Sequence, residues 1–589
     1  MKSFFKYLLA TIVGVFIASF LGFLIMLGIF GAMVSSADKP VEVKDNSILY
    51  LTFDETIVDR AVDNPFSNLN FGPFASAKQL GLNDILKAIE NAKEDPKIKG
   101  IYIQAVSVAA GGATVEEIRD ALIDFKESGK FIISYSDIYS QKAYYLASVS
   151  DNIYMNPEGG MEWMGLRGEV MFYKNALEKL GIEPQIIRHG KFKSAVEPFM
   201  LDKMSDANRE QMLTFMGSIW NHWVKGVSES RNISVEELNR YADEMLISNA
   251  KRSVEYGLID SLIYKDELID KLKKLTETKD KDDLTTITLA KYIKAPSPIK
   301  KKGLAKNKIA VVYAQGEINM GEGQDGTIGS ETISKAIREA RRDSSIKAIV
   351  FRVNSPGGSA LASEVIWREV VLAKQTKPVI ISMGDLAASG GYYIAAPGDV
   401  ILASPTTLTG SIGVFGMYFS VKEGMNKKLG LTVDVVKTNK YSDFGSMYRP
   451  LTAEERAISQ QGVEDIYQTF IGHVAEGRGI TKDEVDAIGQ GRVWSGANAM
   501  DIKLVDEFGG LKRAIAIAAE KAGVEEYRVV DLPKQKDPFQ ALMEDLSGNA
   551  KMMILGDEFV YIYKQYQQVT NMVKNQGVQA RMPFEVEMY

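Results

Sequence analysis

The sequence predicts two tandem α/β domains that follow an N-terminal transmembrane helix. Three observations lead to this fold class. The chain has 589 residues, which is too long for one ordinary domain. Its N-terminus carries a long apolar run. The remainder repeats itself at an offset of 248 residues.

The N-terminal segment, residues 1–40, is predicted to anchor the chain in a membrane. No charged side chain lies between Lys6 and Asp38, and about 20 apolar helical residues are enough to cross a bilayer. Lys2 and Lys6 precede the run, so the positive-inside rule places the N-terminus in the cytoplasm and the following domains across the membrane. A cleaved signal peptide is the alternative, because the small residues at 35–37 could serve as a cleavage site.

An internal duplication makes up most of the remaining chain. SYSDIYSQKAYYLASVSD at 134–151 matches SMGDLAASGGYYIAAPGD at 382–399 in its Ser, Asp, Tyr-Tyr, Ala and final Asp positions. Further pairs of segments match weakly but in the same order, which chance does not produce. We therefore predict a first domain over 46–295, a second domain over 300–535 and a C-terminal tail over 536–589. The tail shows no repeat partner and is interpreted as an oligomerisation or membrane-proximal segment.

Each predicted domain alternates short apolar runs with helical patterns. In the second domain KIAVVYAQGEI precedes ETISKAIREARRD, and IKAIVFRVNSPGG precedes ASEVIWREVVLAKQT. Alternation of strands with helices is typical of a mainly parallel sheet covered by helices. A charged, proline-containing connector at 279–303 separates the two domains.

Composition excludes several classes of function. Cysteine is absent, which removes disulfides, thiol nucleophiles and thiolate metal sites. The three histidines show no metal-ligand spacing, so no metal is expected. A formal net charge of −6 gives no basic footprint for nucleic acid. We expect no cofactor and no nucleic-acid partner.

Two motifs in the second domain predict a nucleophile beside an oxyanion site. In IVFRVNSPGGSA at 349–360, an apolar strand runs into Gly357 and Gly358, and such a turn presents bare backbone N–H groups. One strand later, Ser389 stands where a buried strand meets a helix, and Gly390 follows it. Alone, each motif is better explained as an ordinary turn or a helix N-cap. Together they favour a site, because the two would meet at adjacent strand ends.

A serine nucleophile requires a general base, and histidine does not supply one here. His222 and His473 lie in helical patterns that are typical of surface or interface positions. A lysine acts as the base when burial lowers its pKa from about 10.4 towards neutrality, because desolvation disfavours the ammonium form. Serine-lysine pairs are an established variant of the catalytic triad.

Three motifs carry a resemblance to a known family. GKFKSAVEPF at 190–199, SPGGS at 355–359 and DLAASGGYYIA at 385–395 together resemble the long, tandem-repeat form of bacterial signal peptide peptidase A. This family contains serine-lysine proteases with a Clp/crotonase-like superfold, and the resemblance covers nearly the whole chain. It implies that Ser389 is the nucleophile and that Lys193 is the general base.

The resemblance also implies roles for residues around this pair. Ser411, in the Thr-Gly-Ser-Ile-Gly turn, would hydrogen-bond the base lysine. The backbone amides of the glycine turn and of the residue after the nucleophile would bind the oxyanion; they match Gly357, Gly358 and Gly390. Three alternatives to Lys193 as the base remain open from the sequence, namely Lys191, Lys440 and His189.

The duplication gives independent support for a composite site. At the offset of 248, Ser389 aligns with Gln141, so the first copy lacks a nucleophile. At the nearby offset of 249, Lys193 aligns with Ser442, so the second copy lacks the base. The first-copy glycine turn, within 104–115, has also lost its Ser-Pro. Each copy keeps the half that the other has lost, which a shared active site requires.

The resemblance further implies an activity and a location. We expect an endopeptidase that cleaves signal-peptide remnants and similar apolar peptides through an acyl-enzyme. It would sit in the bacterial inner membrane by one helix, with its catalytic domains on the periplasmic side, and assemble as a homotetramer. The alternatives are an enzyme of the acyl-CoA hydratase or isomerase type, which shares the superfold, and a non-catalytic membrane scaffold. The sequence leaves open whether serine and lysine meet within one chain or between chains.

Overall fold

Three large β-sheets form the frame of the structure. It is a computed structural model that describes residues 2–37, 41–61, 79–299, 305–324, 326–535 and 577–582.

The N-terminal segment contains one helix. Helix α1 covers Lys2–Ala37, and its side chains are described at positions 4, 6–22 and 24. Among the residues that the structure describes, no helix combines the length and the apolar character needed to cross a membrane. The membrane anchor over 1–40 therefore stays a prediction.

The first half of the chain builds a six-stranded sheet in the order β8-β6-β5-β4-β1-β9, in which every pair of neighbours is parallel. Strands β2 and β3 form a small separate pair. The strands are β1 Ser47–Leu51, β2 Thr56–Val58, β3 Gln79–Gly81, β4 Ile98–Ile103, β5 Phe131–Tyr139, β6 Asn152–Met161, β7 Glu183–Arg188, β8 Ser261–Leu262 and β9 Thr286–Thr288. The helices are α2 Leu82–Glu94, α3 Gly112–Lys126, α4 Gln141–Ala147, α5 Lys174–Leu180, α6 Glu197–Met200, α7 Asp206–Arg231, α8 Val235–Asp243, α9 Ala250–Glu255, α10 Lys265–Leu275 and α11 Leu289–Tyr292.

The second half builds a related eight-stranded sheet. Its main order is β19-β17-β15-β13-β10-β21, with β16 beside β15 and β20 beside β16, and only the β17–β19 pair is antiparallel. The strands of this half are β10 Lys308–Gln315, β11 Ile318–Asn319, β12 Ile328–Gly329, β13 Ile346–Ser355, β14 Gly357–Ser359, β15 Val379–Ala388, β16 Val400–Ala403, β17 Leu408–Gly410, β18 Phe415–Ser420, β19 Val493–Ser495, β20 Glu507–Phe508, β21 Arg528–Leu532 and β22 Gly577–Arg581. The helices are α12 Ser330–Arg342, α13 Ala360–Lys374, α14 Gly390–Ala395, α15 Ala453–Arg478, α16 Lys482–Ile488, α17 Gly496–Asp501 and α18 Leu511–Lys521.

The residue patterns explain these elements. In β13 nearly every side chain is buried, as expected for a central strand of a parallel sheet that is covered on both faces. Helix α12 buries Ile333, Ala336, Ile337 and Ala340, a spacing that places them on one face. The predicted α/β class, with mainly parallel sheets, is therefore confirmed. The predicted domain limits stay predictions.

A third sheet joins the two halves. Its order is β12-β11-β14-β22-β18-β7, so that β7 from the first half pairs antiparallel with β18 from the second. The pairing runs from Glu183 opposite Ser420 to Arg188 opposite Phe415. Of the predicted tail, only 577–582 is described, and it contributes β22 to this sheet. Because β7 pairs with β18, the segment that follows β7 lies against the second half.

A buried ion-pair cluster also holds the halves together. The Arg352 guanidinium lies 2.8 Å from Asp59 and 2.7 Å from Glu117, and all three side chains are buried. The neighbouring carboxylates raise the pKa of Arg352 against the opposing effect of burial. Arg352 belongs to the second half and the two carboxylates to the first, so removal of either side would leave a buried charge without its closest counter-ion.

Candidate active site

Ser389 occupies a strained turn between β15 and α14. Its backbone has φ of 56° and ψ of −117°, a conformation that costs a non-glycine residue about 1–3 kcal/mol. The Ser389 N–H donates to the carbonyl of Gly410 at 2.8 Å, which fixes the turn. The side chain makes no N-cap hydrogen bond. The N-cap alternative is therefore excluded, and the hydroxyl is free for another partner.

That partner is Lys193. The lysine lies between β7 and a short 3₁₀ turn at Ser194–Val196, and it is completely buried. Its Nζ atom lies 2.8 Å from Ser389 Oγ, 3.0 Å from Ser411 Oγ and 3.1 Å from the Ser411 carbonyl oxygen. The structure thus brings together, within one chain, three residues that the sequence predicted to meet.

Burial determines the charge of this lysine. Desolvation lowers the pKa of Lys193 well below its ordinary value, because the ammonium form loses its hydration. A neutral amine has two N–H donors and one lone pair. The Ser411 hydroxyl and carbonyl oxygens are placed to accept the two N–H groups, which leaves the lone pair for the Ser389 hydroxyl.

The loop that carries Lys193 is held by Gln211, a residue that sequence reasoning missed. Its side-chain amide donates to the Phe192 carbonyl at 3.1 Å and to Ser194 Oγ at 2.8 Å. Its carbonyl oxygen accepts from the Val493 N–H at 3.1 Å. Gln211 therefore ties both sides of Lys193 to strand β19 of the second half. Nothing in the sequence around a glutamine on a long helix distinguishes this position.

Gly491 is a second missed residue, and it forms the wall behind Lys193. Its φ is +83°, and a Cβ atom placed there would lie 2.6 Å from Lys193 Cβ and 2.7 Å from Lys193 Cα. Gly413 contributes to the same wall, because its Cβ would lie 3.3 Å from Lys193 Cδ. A side chain at Gly491 would collide with the Lys193 backbone, and one at Gly413 would crowd the Lys193 side chain.

We expect Gly491→Ala to lower kcat/KM by about 10²-fold, because an ångström of displacement in a catalytic group has an effect of that order. The matched control is Gly523→Ala, whose φ is +63° but whose Cβ would meet nothing within 4 Å. It adds similar backbone strain and should lower the melting temperature with kcat/KM unchanged. Wild-type kcat/KM in Gly491→Ala, or an equal loss in both variants, would contradict this role.

The glycine turn lies against the nucleophile. Gly357 and Gly358 begin strand β14 with φ values of +98° and +154°, which L side chains rarely adopt. A Cβ at Gly357 would lie 2.7 Å from the backbone nitrogen of Gly390, the first residue of α14. Gly357 thus adjoins Gly390, the residue after the nucleophile, and its own N–H donates to Ser355 Oγ at 3.1 Å.

The alternative bases lie elsewhere. Lys191 is exposed and stacks on the ring of Phe192. Lys440 is exposed and forms an ion pair with Glu454. His189 Nδ1 lies 2.6 Å from the Glu464 carboxylate. Only Lys193 among the four candidates contacts Ser389 in the part of the chain that the structure describes.

The positions that the repeat relates to the active-site residues make other contacts. Gln141 accepts hydrogen bonds from the N–H groups of Met164 and Gly165 at 2.7 and 2.9 Å. At the first-half glycine turn, the Asp385 carboxylate accepts from the Thr114 N–H and hydroxyl at 2.8 and 2.7 Å. Ser442 lies in an exposed turn. These contacts leave no second serine-lysine pair at the repeat-related positions.

A serine hydroxyl against a buried amine whose pKa is lowered by desolvation is an arrangement that serine hydrolases use. Among the described residues, no cluster of three or more His, Cys, Asp or Glu could hold a metal ion.

Comparison with known proteins gives the family. The profile of Peptidase family S49 matches residues 124–279 and 372–525. Protease 4 of Haemophilus influenzae is 36% identical, with 84% of this chain and 82% of that protein aligned. The chloroplastic serine protease SPPA of Arabidopsis thaliana is 34% identical, with 92% and 78% aligned. Protease 4 of Salmonella typhi is 36% identical, with 84% and 82% aligned.

The chain therefore belongs to Peptidase family S49 and is a serine protease with a tandem repeat. The resemblance to the signal peptide peptidase A family is confirmed. Among solved structures, a ClpP1 mutant from Listeria monocytogenes is 17% identical, with 35% of this chain and 94% of that chain aligned and a TM-score of 0.24. A TM-score this low does not establish a shared fold, so the Clp/crotonase-like superfold stays a prediction.

Proposed function

We propose that this protein is an endopeptidase in which Ser389 is the nucleophile and Lys193 is the general base. The observation that carries the proposal is the 2.8 Å contact between Lys193 Nζ and Ser389 Oγ, in which both side chains are completely buried. Membership of a peptidase family favours this function over an acyl-CoA enzyme or a scaffold. Ser411 is proposed to orient the amine.

In the acylation step, the neutral Lys193 amine takes the hydroxyl proton as Ser389 Oγ attacks the peptide carbonyl carbon. Negative charge then develops on the carbonyl oxygen. The amides of the glycine turn and of Gly390 are proposed to bind that oxygen, and fixed donors in a water-excluded site stabilise it strongly. The Lys193 ammonium next returns its proton to the leaving amine as the C–N bond breaks.

In the deacylation step, Lys193 is again neutral and removes a proton from an attacking water molecule. The hydroxide adds to the ester carbonyl, and the ammonium returns the proton to Ser389 Oγ as the ester bond breaks. The same amine thus acts twice as base and twice as acid. Its low pKa suits both directions of proton transfer, because general catalysis is most efficient when the pKa lies near the working pH.

We propose that the substrates are apolar peptides such as signal-peptide remnants. A relative from Enterococcus faecium carries the name putative signal peptide peptidase SppA and is 30% identical, with 44% of this chain aligned. We further propose that residues 1–40 anchor the protein in the bacterial inner membrane with its catalytic domains on the periplasmic side. Assembly as a homotetramer is part of the same proposal and follows from the family resemblance.

The test is the pH dependence of labelling by a fluorophosphonate, which reacts with an activated serine. The labelling rate should rise with pH through the folded-state pKa of Lys193 and then level off well below pH 10.5, because burial lowers that pKa. Loss of labelling as the pH falls through this lowered pKa identifies Lys193 as the base. A rate that keeps rising up to pH 10.5, or no labelling of the wild-type protein at any pH, would contradict the dyad.

The same lowered pKa costs stability. Between the folded-state pKa of Lys193 and about 10.4, the unfolded chain carries a proton on this lysine that the folded chain lacks. Unfolding then takes up a proton, so the contribution of Lys193 to the free energy of unfolding decreases as the pH falls through that window. The active site is therefore an element that lowers stability at neutral pH.

A further inference from the structure

His189 lies at the start of the loop that carries Lys193, and it contacts the second half of the chain. The residue follows directly after strand β7, and its N–H donates to the Val414 carbonyl at 3.1 Å. Its imidazole ring stacks on the ring of Tyr467, with 3.8 Å between the ring centroids. Tyr467 belongs to helix α15 and is completely buried. The imidazole of His189 therefore packs on a core residue of the second half.

A carboxylate fixes the orientation of this imidazole. His189 Nδ1 lies 2.6 Å from one carboxylate oxygen of Glu464, about one turn before Tyr467 on α15. Because a carboxylate only accepts hydrogen bonds, Nδ1 must be the protonated ring nitrogen. The second oxygen of Glu464 accepts from the Gln460 side-chain amide at 2.7 Å. Both carboxylate oxygens thus have a partner, and the imidazole is held at 25° to the Tyr467 ring.

The Tyr467 hydroxyl is connected to the other end of the same loop. It donates to Asp486 at 2.6 Å and accepts from the Gln490 N–H at 3.2 Å. The Gln490 carbonyl in turn accepts from the Phe192 N–H at 2.9 Å. His189 and Phe192, which are three residues apart in the loop, are therefore both held by one tyrosine side chain.

These contacts surround the position of the base. Phe192 immediately precedes Lys193, and Gln490 immediately precedes Gly491, the glycine behind Lys193. Gln490 has a φ of 51°, which L residues rarely adopt, so its neighbours must hold it in this conformation. A shift of Tyr467 would therefore move Phe192 and Gly491 together, and with them the two segments that enclose the amine.

We propose that His189 is a positioning residue for the reaction, which keeps Lys193 within reach of Ser389 through its contacts with Glu464 and Tyr467. This inference rests on the proposed function, since it requires Lys193 to be the base. Lys193 contacts the nucleophile directly, whereas His189 acts only through the loop. The His189 side chain is 24% exposed, so its loss removes less buried area than the loss of a core residue does.

The test is replacement of His189 by alanine. We expect kcat for peptide hydrolysis to fall about tenfold and KM to change less than about twofold, because a displaced base slows the chemical step without removing a substrate contact. A loosened loop admits water to the Lys193 amine, so the rate of fluorophosphonate labelling should level off at a higher pH than in wild-type protein. A lower melting temperature with an unchanged labelling profile would overturn the inference.

The matched control is His222→Ala. The His222 side chain is also 24% exposed and also lies beside a glutamate, with 3.1 Å from its Nε2 to Glu116. Its other ring contact is Tyr145, so this pair lies within the first half, which lacks a nucleophile. The variant should melt at a lower temperature and keep the wild-type kcat and labelling profile. An equal fall of kcat in His189→Ala and His222→Ala would contradict a specific role of His189.

A double-mutant cycle tests the contact with Glu464. Glu464→Ala should lower kcat by about the same factor as His189→Ala, and the double variant should lose no more than either single variant, because both residues act through one hydrogen bond. Losses that multiply would overturn action through Glu464. A wild-type kcat in His189→Ala, beside an inactive Lys193→Met, would overturn the inference while the proposed function stands. Labelling of Lys193→Met at the wild-type rate would overturn both.

Discussion

Replacement of Lys193 by methionine is expected to lower kcat/KM for peptide hydrolysis by about 10⁴-fold, the upper range for loss of a general base. Methionine fills the buried position of the Lys193 side chain with an unbranched apolar group, but it cannot accept the Ser389 proton. Burial of a thioether is also compatible with this site, because the site is completely buried and already disfavours the charged form of the lysine. The variant should therefore fold, which a melting curve and circular dichroism would show, and lose activity in a peptide-cleavage assay.

The matched control is Lys191→Met, two residues earlier in the same loop. Lys191 is exposed and stacks on the ring of Phe192. Its replacement should change kcat/KM by less than about twofold, because surface substitutions away from a site have small effects. A large loss in Lys191→Met together with an active Lys193→Met would show that Lys193 is not the base. Equal losses in both variants would indicate a general effect on the loop.

Replacement of Ser389 by alanine is expected to abolish fluorophosphonate labelling and to lower kcat by about 10⁶-fold, the loss seen when a serine nucleophile is removed from a protease. The fold should persist, since the hydroxyl makes no capping hydrogen bond and the turn is fixed by the Ser389 N–H to Gly410. Activity is measured on an apolar peptide in detergent, and labelling is measured by mass spectrometry of the modified peptide. Labelling of the alanine variant at another serine would contradict the assignment.

Ser389→Gly separates chemistry from strain. Glycine adopts positive φ without the Cβ penalty that serine and alanine meet at φ of 56°. We therefore expect the glycine variant to be as inactive as the alanine variant but to melt at a higher temperature. The difference reports the backbone strain, about 1–3 kcal/mol for such a conformation. Equal melting temperatures would mean that the turn holds no strain at this residue.

The duplication made the composite site predictable. Since Ser389 aligns with Gln141 and Lys193 aligns with Ser442, each half had visibly lost what the other kept. The motif around Ser389, a buried strand followed by small residues, predicted a strand-to-helix turn, and the structure has that turn between β15 and α14. The alternation of apolar runs and helices likewise predicted the parallel sheets.

The family resemblance implied Lys193 as the base, but the spacing of the neighbouring lysines did not by itself distinguish them. Lys191 and Lys193 are two residues apart and would share one face of an extended strand. The strand β7 ends at Arg188, however, and a 3₁₀ turn begins at Ser194. This change of direction leaves Lys191 exposed and buries Lys193 against Gly491.

The position of β22 in the third sheet could not be predicted from the sequence. Its residues, Gly577–Arg581, have no repeat partner and no strong apolar pattern. Main-chain pairing with a strand edge depends little on side-chain type. The sequence therefore supported only a general interpretation of the tail, whereas the third sheet places this segment against Gly357 and Gly358.

The sequence by itself determined the fold class, the repeat, the family and the residue types of the candidate site, because those properties are recorded as patterns along the chain. Only the tertiary structure decided that the Lys193 amine lies against the Ser389 hydroxyl and that strand β22 pairs with the glycine turn. Lys193 and Ser389 are 196 positions apart, and the pKa of an amine depends on its desolvation. Desolvation is a property of the packed neighbours from both halves, which no local stretch of sequence specifies.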